Sequence, residues 1–118
     1  MIVNQKKIIK PWGYEILWAH CDKFVGKILF IKQGNKLSRQ YHKVKEETII
    51  VQQGMLTLEV GAKQYKKNIY LSPGESFHIE PNTIHRFCAE RNDVVLYEVS
   101  TPELEDVVRL EDEYNRVN

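Results

Sequence analysis

The feature that most constrains this fold is a succession of short apolar or β-branched segments separated by turns. Gly54 and the run Ser72-Pro73-Gly74 are typical of turns, and residues 55–60 alternate polar and apolar side chains with a period of two. Many short strands between regular turns predict an all-β sandwich or barrel. The segments of this kind are 27–32, 47–53, 55–60, 63–67, 68–71, 76–79, 84–88 and 94–100.

The end of the chain carries the one helix signal. Thr101 is a suitable N-cap, Pro102 suits the first helical position, and Glu103 and Glu105 suit the first turn. We expect one or two helical turns before residues 107–110 return to an extended conformation. The 118 residues fit one domain. We divide it into a lead-in segment (1–26), a barrel core (27–100) and a closing segment (101–118).

Charge and composition exclude several classes of protein. Lys and Arg number 17 and Asp and Glu 16, a net charge of +1, which argues against a general nucleic-acid binder but permits a local basic pocket. The chain has no apolar run that would serve as a membrane span or a signal peptide. Cys21 and Cys88 do not require a disulfide. We therefore expect a cytoplasmic protein with reduced thiols and no membrane partner.

Four side chains of metal-ligand type have spacings that allow them to converge. Gln40 and His42 are two residues apart, so on a strand they share a face. Glu47 opens the next segment, and His85 follows a later turn. Such a nitrogen and oxygen site suits one divalent ion of Mn, Fe, Co, Ni or Zn and leaves positions open for water or substrate. The competing interpretation is that His42 and His85 are core histidines bonded to the backbone.

Residues 34–54 and 74–85 resemble the paired cupin motifs G-x5-H-x-H-x4-E-x6-G and G-x5-P-x-G-x2-H, with matching spacing. Gln40, Glu80 and Asn82 stand where the family usually has His, Pro and Gly. Asn tolerates positive φ, so the turn can be retained. The resemblance implies a double-stranded β-helix, the cupin jelly-roll barrel, and it favours Glu47 over the adjacent Glu46 as the ligand.

Further blocks resemble one branch of that family, the cupin domain of type II mannose-6-phosphate isomerases. They are LSRQYH (37–42), KPWGYE (10–15), TIHR (83–86) and DVVRLEDEYNR (106–116). The resemblance implies a metal-dependent aldose–ketose isomerase acting on a sugar phosphate, with mannose 6-phosphate as the first candidate, and cupins often form homodimers. The chain has no Gly-rich phosphate loop, so we expect no sugar-nucleotide pyrophosphorylase activity.

An isomerase also needs a general base and a phosphate site. Glu98, on the segment 94–100, and His78 are the candidate bases. Arg109 and Arg116 could bind a phosphate, or they could form surface ion pairs with the acids around them. Arg86 is a third candidate for substrate binding, although it follows a ligand and would point away from the metal on a regular strand.

Several alternatives remain open from the sequence. His78 lies between Phe77 and Ile79, so it faces outward if those two face the core. Lys43 and Lys45 are expected to be a solvated edge. The same barrel could be a non-catalytic sugar- or metabolite-binding protein, or a metal-dependent oxidative enzyme, since two His and a carboxylate also suit non-haem iron.

Overall fold

The computed structural model describes residues 1–116 and has eleven β-strands and no helix over that range. None of the described residues therefore belongs to a helix that is long and apolar enough to cross a membrane. The strands are β1 (Lys6–Lys10), β2 (Gly13–His20), β3 (Val25–Ile31), β4 (Arg39–Tyr41), β5 (Glu47–Gln53), β6 (Leu56–Val60), β7 (Lys67–Leu71), β8 (Ser76–Ile79), β9 (His85–Cys88), β10 (Val94–Ser100) and β11 (Val108–Glu111).

All strand pairs are antiparallel and form two sheets. The six-stranded sheet has the order β1-β2-β3-β10-β5-β8, and the five-stranded sheet has the order β11-β4-β9-β6-β7. Both sheets contribute to one buried core, with Leu29, Ile49 and Leu96 from the first and Leu58 and Phe87 from the second. The predicted all-β class is confirmed, and the core lies between the two sheets.

Strand alternation places different chemistry on the two faces of the five-stranded sheet. In β9, His85 and Phe87 point to the side of the core, and Arg86 and Cys88 point to the opposite side. Neighbouring strands continue each row, because Glu59 of β6 is the register partner of Arg86 and Val60 is that of His85. We call the core side of this sheet its inner face and the opposite side its outer face.

The turn at Asn82 has the geometry expected from the sequence. Asn82 has φ of 65°, in the left-handed region that the usual glycine would occupy. Its backbone N–H donates to the carbonyl of His42 over 2.6 Å. Gly54 has φ of 82°, and a Cβ there would lie 2.1 Å from the carbonyl oxygen of Asp93, so this turn needs glycine.

The structure adds detail at both ends of the chain. The lead-in 1–26 contains β1, β2 and the start of β3, and β1 and β2 extend the six-stranded sheet outward from β3. The predicted helical turn after Thr101 is wrong: the segment has only a turn at 104–105. Its polar groups bond elsewhere in the chain, since Thr101 Oγ1 accepts the N–H of Glu46 over 3.0 Å. The closing segment predicted over 101–118 also extends two residues beyond the described range.

Both cysteines are free thiols, in agreement with the sequence. Cys88 is buried on the outer face, and burial together with the negative charge of Glu59 raises the pKa of its thiol to about 12.

The predicted strand at 63–67 is mostly a turn, and β7 begins only at Lys67.

Candidate metal centre

The four predicted ligands come together at one end of the barrel. Gln40 of β4 is the register partner of His85 of β9, His42 follows β4 directly, and Glu47 opens β5. All four line one cavity of about 100 Å³. A water needs about 10–15 Å³ on this measure, so the cavity can take several waters or the reacting end of a small ligand.

Three of these side chains form a compact buried cluster. Glu47 Oε1 lies 3.4 Å from His42 Nε2 and 3.3 Å from His85 Nε2. The three ligand atoms all lie within 4.8 Å of one another. Burial alone would raise the pKa of Glu47, but the close approach of the His42 and His85 imidazoles and the charge of Lys45 hold it well below its ordinary value. Glu47 is therefore a carboxylate at neutral pH.

The hydrogen bonds on the other side of each imidazole test whether the cluster fits a metal ion. Nδ1 of His42 donates to the Asp106 carbonyl over 2.5 Å, and Nδ1 of His85 donates to the Thr83 carbonyl over 2.8 Å. In the neutral rings, both Nε2 lone pairs then face the carboxylate of Glu47. His85 Nε2 is fully buried and has no hydrogen-bond partner. Lone pairs and a carboxylate oxygen at this distance suit a cation between them, so the residues fit a divalent metal.

Gln40 is the fourth predicted ligand, and the structure places it on the wall of the cavity. It is half-buried, and its backbone pairs with His85 on one side and Arg109 on the other. This row across three strands points into the barrel. The structure thus brings Gln40 next to the cluster, and its amide oxygen is available as a weaker ligand.

Lys45 is a functional candidate that the sequence reasoning misplaced as a solvated edge. It is buried in the cavity wall, with Nζ 3.3 Å from Glu47 Oε2 and 3.1 Å from Glu98 Oε2. Burial favours the neutral amine, but the charges of Glu98 and Glu47 outweigh it and raise the pKa of Lys45. The separation of two residues between Lys45 and Glu47 was the signal that both share a face.

Glu98, one of the two predicted bases, lies in the cavity. It is buried on β10, beside Lys45. Burial and the negative charge of Glu47 raise the pKa of Glu98 above the ordinary carboxyl range, and Lys45 only partly opposes them. Glu98 is therefore the carboxyl group of this cavity that most readily takes up a proton.

His78, the other predicted base, lies outside the cavity. Its side chain is 48% exposed on the edge strand β8. Nε2 contacts Glu46 Oε2 and Nδ1 contacts Thr48 Oγ1, both at 2.6 Å. Phe77 and Ile79 face the core, so alternation turns His78 outward, and the interpretation as a base in the cavity is corrected.

The three predicted substrate-binding arginines have two different locations. Arg109 and Arg116 line the cavity. Arg116 makes a two-bonded ion pair with Asp112, at 2.9 and 3.0 Å, whereas Arg109 forms no ion pair with any described carboxylate. Partial burial and the nearby charge of Arg116 lower the pKa of Arg109. Arg86 is corrected: it is fully buried on the outer face, where it bonds to the Leu37 carbonyl and to Glu111.

A second pair of charged cavity residues was not found from the sequence. Glu15 of β2 is buried and lies 2.8 Å from Lys27 Nζ and 3.2 Å from Lys10 Nζ. Burial opposes ionisation, but these two lysines hold the pKa of Glu15 below its ordinary value. Glu15 and Lys27 line the cavity, as does the buried Trp12. The block KPWGYE (10–15) contains Lys10, Trp12 and Glu15, but it does not reveal the pairing of Glu15 with Lys27, which comes from a different strand.

Two antiparallel sheets that enclose a buried His–Glu–His cluster define the chain as a cupin with a double-stranded β-helix fold. The family model described as Mannose-6-phosphate isomerase C-terminal matches residues 2–112. The chain belongs to this family, as its closing blocks predicted. No curated protein matches the chain in sequence.

Solved structures with this fold share little sequence with the chain. KdgF from Halomonas sp. has a TM-score of 0.73 at 19% identity, over 88% of this chain and 92% of that one. An RmlC-like cupin from Shewanella frigidimarina has a TM-score of 0.74 at 16% identity, over 86% and 87%. The capsular polysaccharide assembling protein CapF from Staphylococcus aureus has a TM-score of 0.79 at 17% identity, over 92% of this chain but only 34% of its own. At such identities the likeness concerns the fold.

Proposed function

We propose that this cupin is a metal-dependent sugar-phosphate isomerase that interconverts an aldose and a ketose, with mannose 6-phosphate as the first candidate substrate. The observation that carries the proposal is the composition of one cavity. It combines the His42–Glu47–His85 cluster with a further buried carboxyl group, Glu98, and with Arg109. The family relationship supports the same class of reaction.

The metal would be held by His42, Glu47 and His85, with Gln40 as an additional ligand. A bound divalent ion would supply Lewis-acid polarisation of the sugar carbonyl. The backbone carbonyls of Asp106 and Thr83 fix the tautomers of the two imidazoles.

Glu98 is the proposed general base. Its carboxylate removes the proton from C2 of the open-chain aldose, and the C–H electron pair forms the C1–C2 double bond of an enediol as the carbonyl oxygen takes up a proton. Glu98 then returns its proton to C1, and the C2 hydroxyl becomes the new carbonyl by losing a proton, which balances the one taken up by the C1 oxygen. Lys45, 3.1 Å from Glu98, holds the carboxylate in place and adds positive charge beside the reacting oxygens. The reaction needs no other reactant.

Arg109 is the proposed phosphate anchor. It lines the cavity beside Gln40 in the sheet and makes no ion pair with a described carboxylate, so its guanidinium is available to an anion. Arg116 is held by Asp112 and adds positive charge at the same wall. A guanidinium can bind a phosphate through two parallel hydrogen bonds.

The proposal is tested by a coupled assay for mannose 6-phosphate conversion, on protein stripped of metal and reloaded with Mn, Co, Ni, Fe or Zn. We expect turnover with at least one metal, abolition by chelator and by His42→Ala, and a loss of kcat of about 10²–10⁴-fold in Glu98→Gln. His78→Ala is the matched control and should retain full activity. An active His42→Ala variant would contradict the proposal.

A binding protein without catalysis is the second candidate, and the ion pairs of Lys45 favour it. Lys45 already neutralises part of the charge on both Glu47 and Glu98. In such a protein the metal would be structural, and the cavity would hold a sugar or another small metabolite. Saturable binding of the sugar phosphate by calorimetry, without turnover under any metal, would support this alternative over the isomerase.

We also propose a homodimer located in the cytoplasm. The outer side of the six-stranded sheet exposes large apolar groups at adjacent cross-strand positions, including Trp18, Ile50, Tyr97 and Val99. A second copy of the chain is the partner we propose for this surface. Light scattering after size exclusion tests the dimer, and a strict monomer would contradict it.

The proposed substrate is charged and does not cross membranes, which supports the proposed cytoplasmic location. Nothing about the net charge favours a nucleic-acid partner.

A further inference from the structure

Residues 101–107, which we call the strap, connect β10 to β11 across the end of the barrel that holds the metal cluster. Leu104 and Val107 of the strap line the cavity. The strap therefore forms part of the wall, although it contains none of the metal ligands.

The strap is fastened at both ends to one loop, residues 42–46, which begins with the ligand His42 and leads directly into the ligand Glu47. At its first end, Thr101 and Glu46 exchange two hydrogen bonds of 3.0 Å: the N–H of Thr101 donates to the Glu46 carbonyl, and the N–H of Glu46 donates to Thr101 Oγ1. A local bond of 2.9 Å from Val107 N–H to the Glu105 carbonyl bends the chain around Asp106.

At its second end, the strap is fastened by a single residue, Asp106. Its Oδ1 accepts the N–H of Lys43 over 3.1 Å, and its Oδ2 accepts those of Val44 and Lys45 over 2.7 and 2.9 Å. Its backbone carbonyl accepts the Nδ1–H of His42. Four consecutive residues thus donate to one residue more than 60 positions away in sequence.

The bonds of Asp106 act on the metal cluster in two ways. The bond to Nδ1 fixes the tautomer of His42 and directs Nε2 toward Glu47. The three bonds to the carboxylate fix the backbone that carries Lys45 into the cavity. Because one residue accepts all four bonds, any opening of the strap at Asp106 would break them together and release His42 and Lys45 from their orientation.

We propose that Asp106 is a positioning residue that couples closure of the strap to metal occupancy of the His42–Glu47–His85 cluster. The inference rests on the proposed metal site. Thermodynamic linkage makes this coupling reciprocal. If bound metal multiplies the equilibrium constant for closing the strap by some factor, closing the strap multiplies the metal-binding constant by the same factor. The strap thereby serves as a closure over the cavity whose closed state is favoured in the metal-loaded protein.

The test combines metal affinity with hydrogen exchange, using Co²⁺ or Ni²⁺ as the probe and the full chain. We expect Asp106→Ala to weaken metal binding by about 10–100-fold in calorimetry. Asp106→Asn keeps one acceptor oxygen and should lie between it and the wild type. Glu105→Gln, at the exposed neighbouring position, is the matched control and should bind as the wild type does. Circular dichroism verifies that each variant is folded.

Hydrogen exchange separates this proposal from the metal site itself. In the wild type, metal should slow exchange of the amides at 43–45 and across the strap, and in Asp106→Ala this protection should vanish. Asp106→Ala that binds metal as tightly as the wild type, with unchanged protection at 43–45, would overturn the coupling and leave the metal site standing. A wild type that binds neither ion would overturn the proposed metal site and the coupling together.

Discussion

Two clusters of buried charge lie on opposite faces of the same five-stranded sheet, and they are built in different ways. On the outer face, cations and anions are matched: Arg39 lies 2.6 Å from Glu59, Lys66 lies 2.9 Å from the other oxygen of Glu59, and Arg86 contacts Glu111. On the inner face, two imidazole nitrogens and a carboxylate oxygen face one another.

This difference in charge pairing indicates that the outer cluster stabilises the fold and the inner cluster is arranged for ligand binding. Each cation of the outer cluster has a carboxylate partner within the described chain, although Nε and one terminal nitrogen of Arg39 and one terminal nitrogen of Arg86 make no hydrogen bond, so this cluster serves the fold. The inner cluster presents lone pairs that a cation would satisfy, so its residues are placed for binding at some cost to the metal-free fold. Adjacent residues of β9, His85 and Arg86, belong to the two different clusters.

The largest effect is expected from Arg86→Ala. Removing this fully buried guanidinium leaves the Leu37 carbonyl without its donor and Glu111 without its main partner. Breaking a buried pair costs about 3–5 kcal/mol, and since Glu111 is 35% exposed and can be hydrated, we expect about 3 kcal/mol of lost unfolding free energy. Denaturant unfolding measures it, with the exposed Arg91→Ala as control. A loss of unfolding free energy below about 1 kcal/mol, or weaker metal binding by the folded variant, would contradict the assignment of stability to the outer face and of metal binding to the inner face.

The two clusters should also respond to acid in different pH ranges. Burial opposes ionisation of Glu59 and Glu111, but their lysine and arginine partners hold both pKa values below the ordinary 4.5. Their stabilisation is therefore complete above about pH 4.5 and is lost as pH falls through the lowered values. Protons compete with the metal for its imidazole and carboxylate ligand atoms, so we expect metal to leave before the outer cluster loses its ion pairs.

A pH titration that follows metal release with an indicator and unfolding by circular dichroism checks this order. We expect metal to be released from a protein that is still folded. Glu59→Gln should change the acid unfolding and leave metal release where it is. Release and unfolding over one common interval would mean that the two clusters are not independent.

The smallest effect is expected at Gln40, the weakest ligand. Gln40→Leu should lower metal affinity by no more than about tenfold and leave the unfolding free energy of the metal-free protein nearly unchanged, because the amide makes no other essential contact on the inner face. Gln40→His, which restores the imidazole of the usual motif, should raise the affinity. Calorimetry with Co²⁺ measures both, and a loss of 100-fold in Gln40→Leu would place Gln40 among the principal ligands.

The sequence indicated that Gln40, His42, Glu47 and His85 could converge because strand alternation and turn signals are local information. Gln40 and His42 are two residues apart, so they project from the same face of a strand, and Pro81 and Asn82 mark the turn before His85. The alternation of side chains along a strand also predicted that Arg86, next to His85, points away from the proposed metal site. Its complete burial beside Glu59 and Glu111 was not predictable, because those partners come from other strands.

Long-range partners also explain the errors. Lys45 lies in a charged run that is typical of a solvated edge. Its burial is made favourable by ion pairs with Glu47 and with Glu98, and Glu98 lies on a distant part of the chain. The helix signal after Thr101 is sound locally, but Asp106 bonds to residues 43–45 and draws the segment across the barrel. Tertiary hydrogen bonds here override local propensity.

The alternation along β9 has a consequence for how the chain reaches a single native pairing. A slip of one residue would move Arg86 to the inner face, away from its carboxylates, and would carry His85 and Phe87 to the outer face. A misaligned strand would thus bury an unpaired charge and lose core contacts in the same step. The two clusters together therefore select the native register of β9. Only in that register does Arg86 reach its carboxylates while His85 lies beside Glu47.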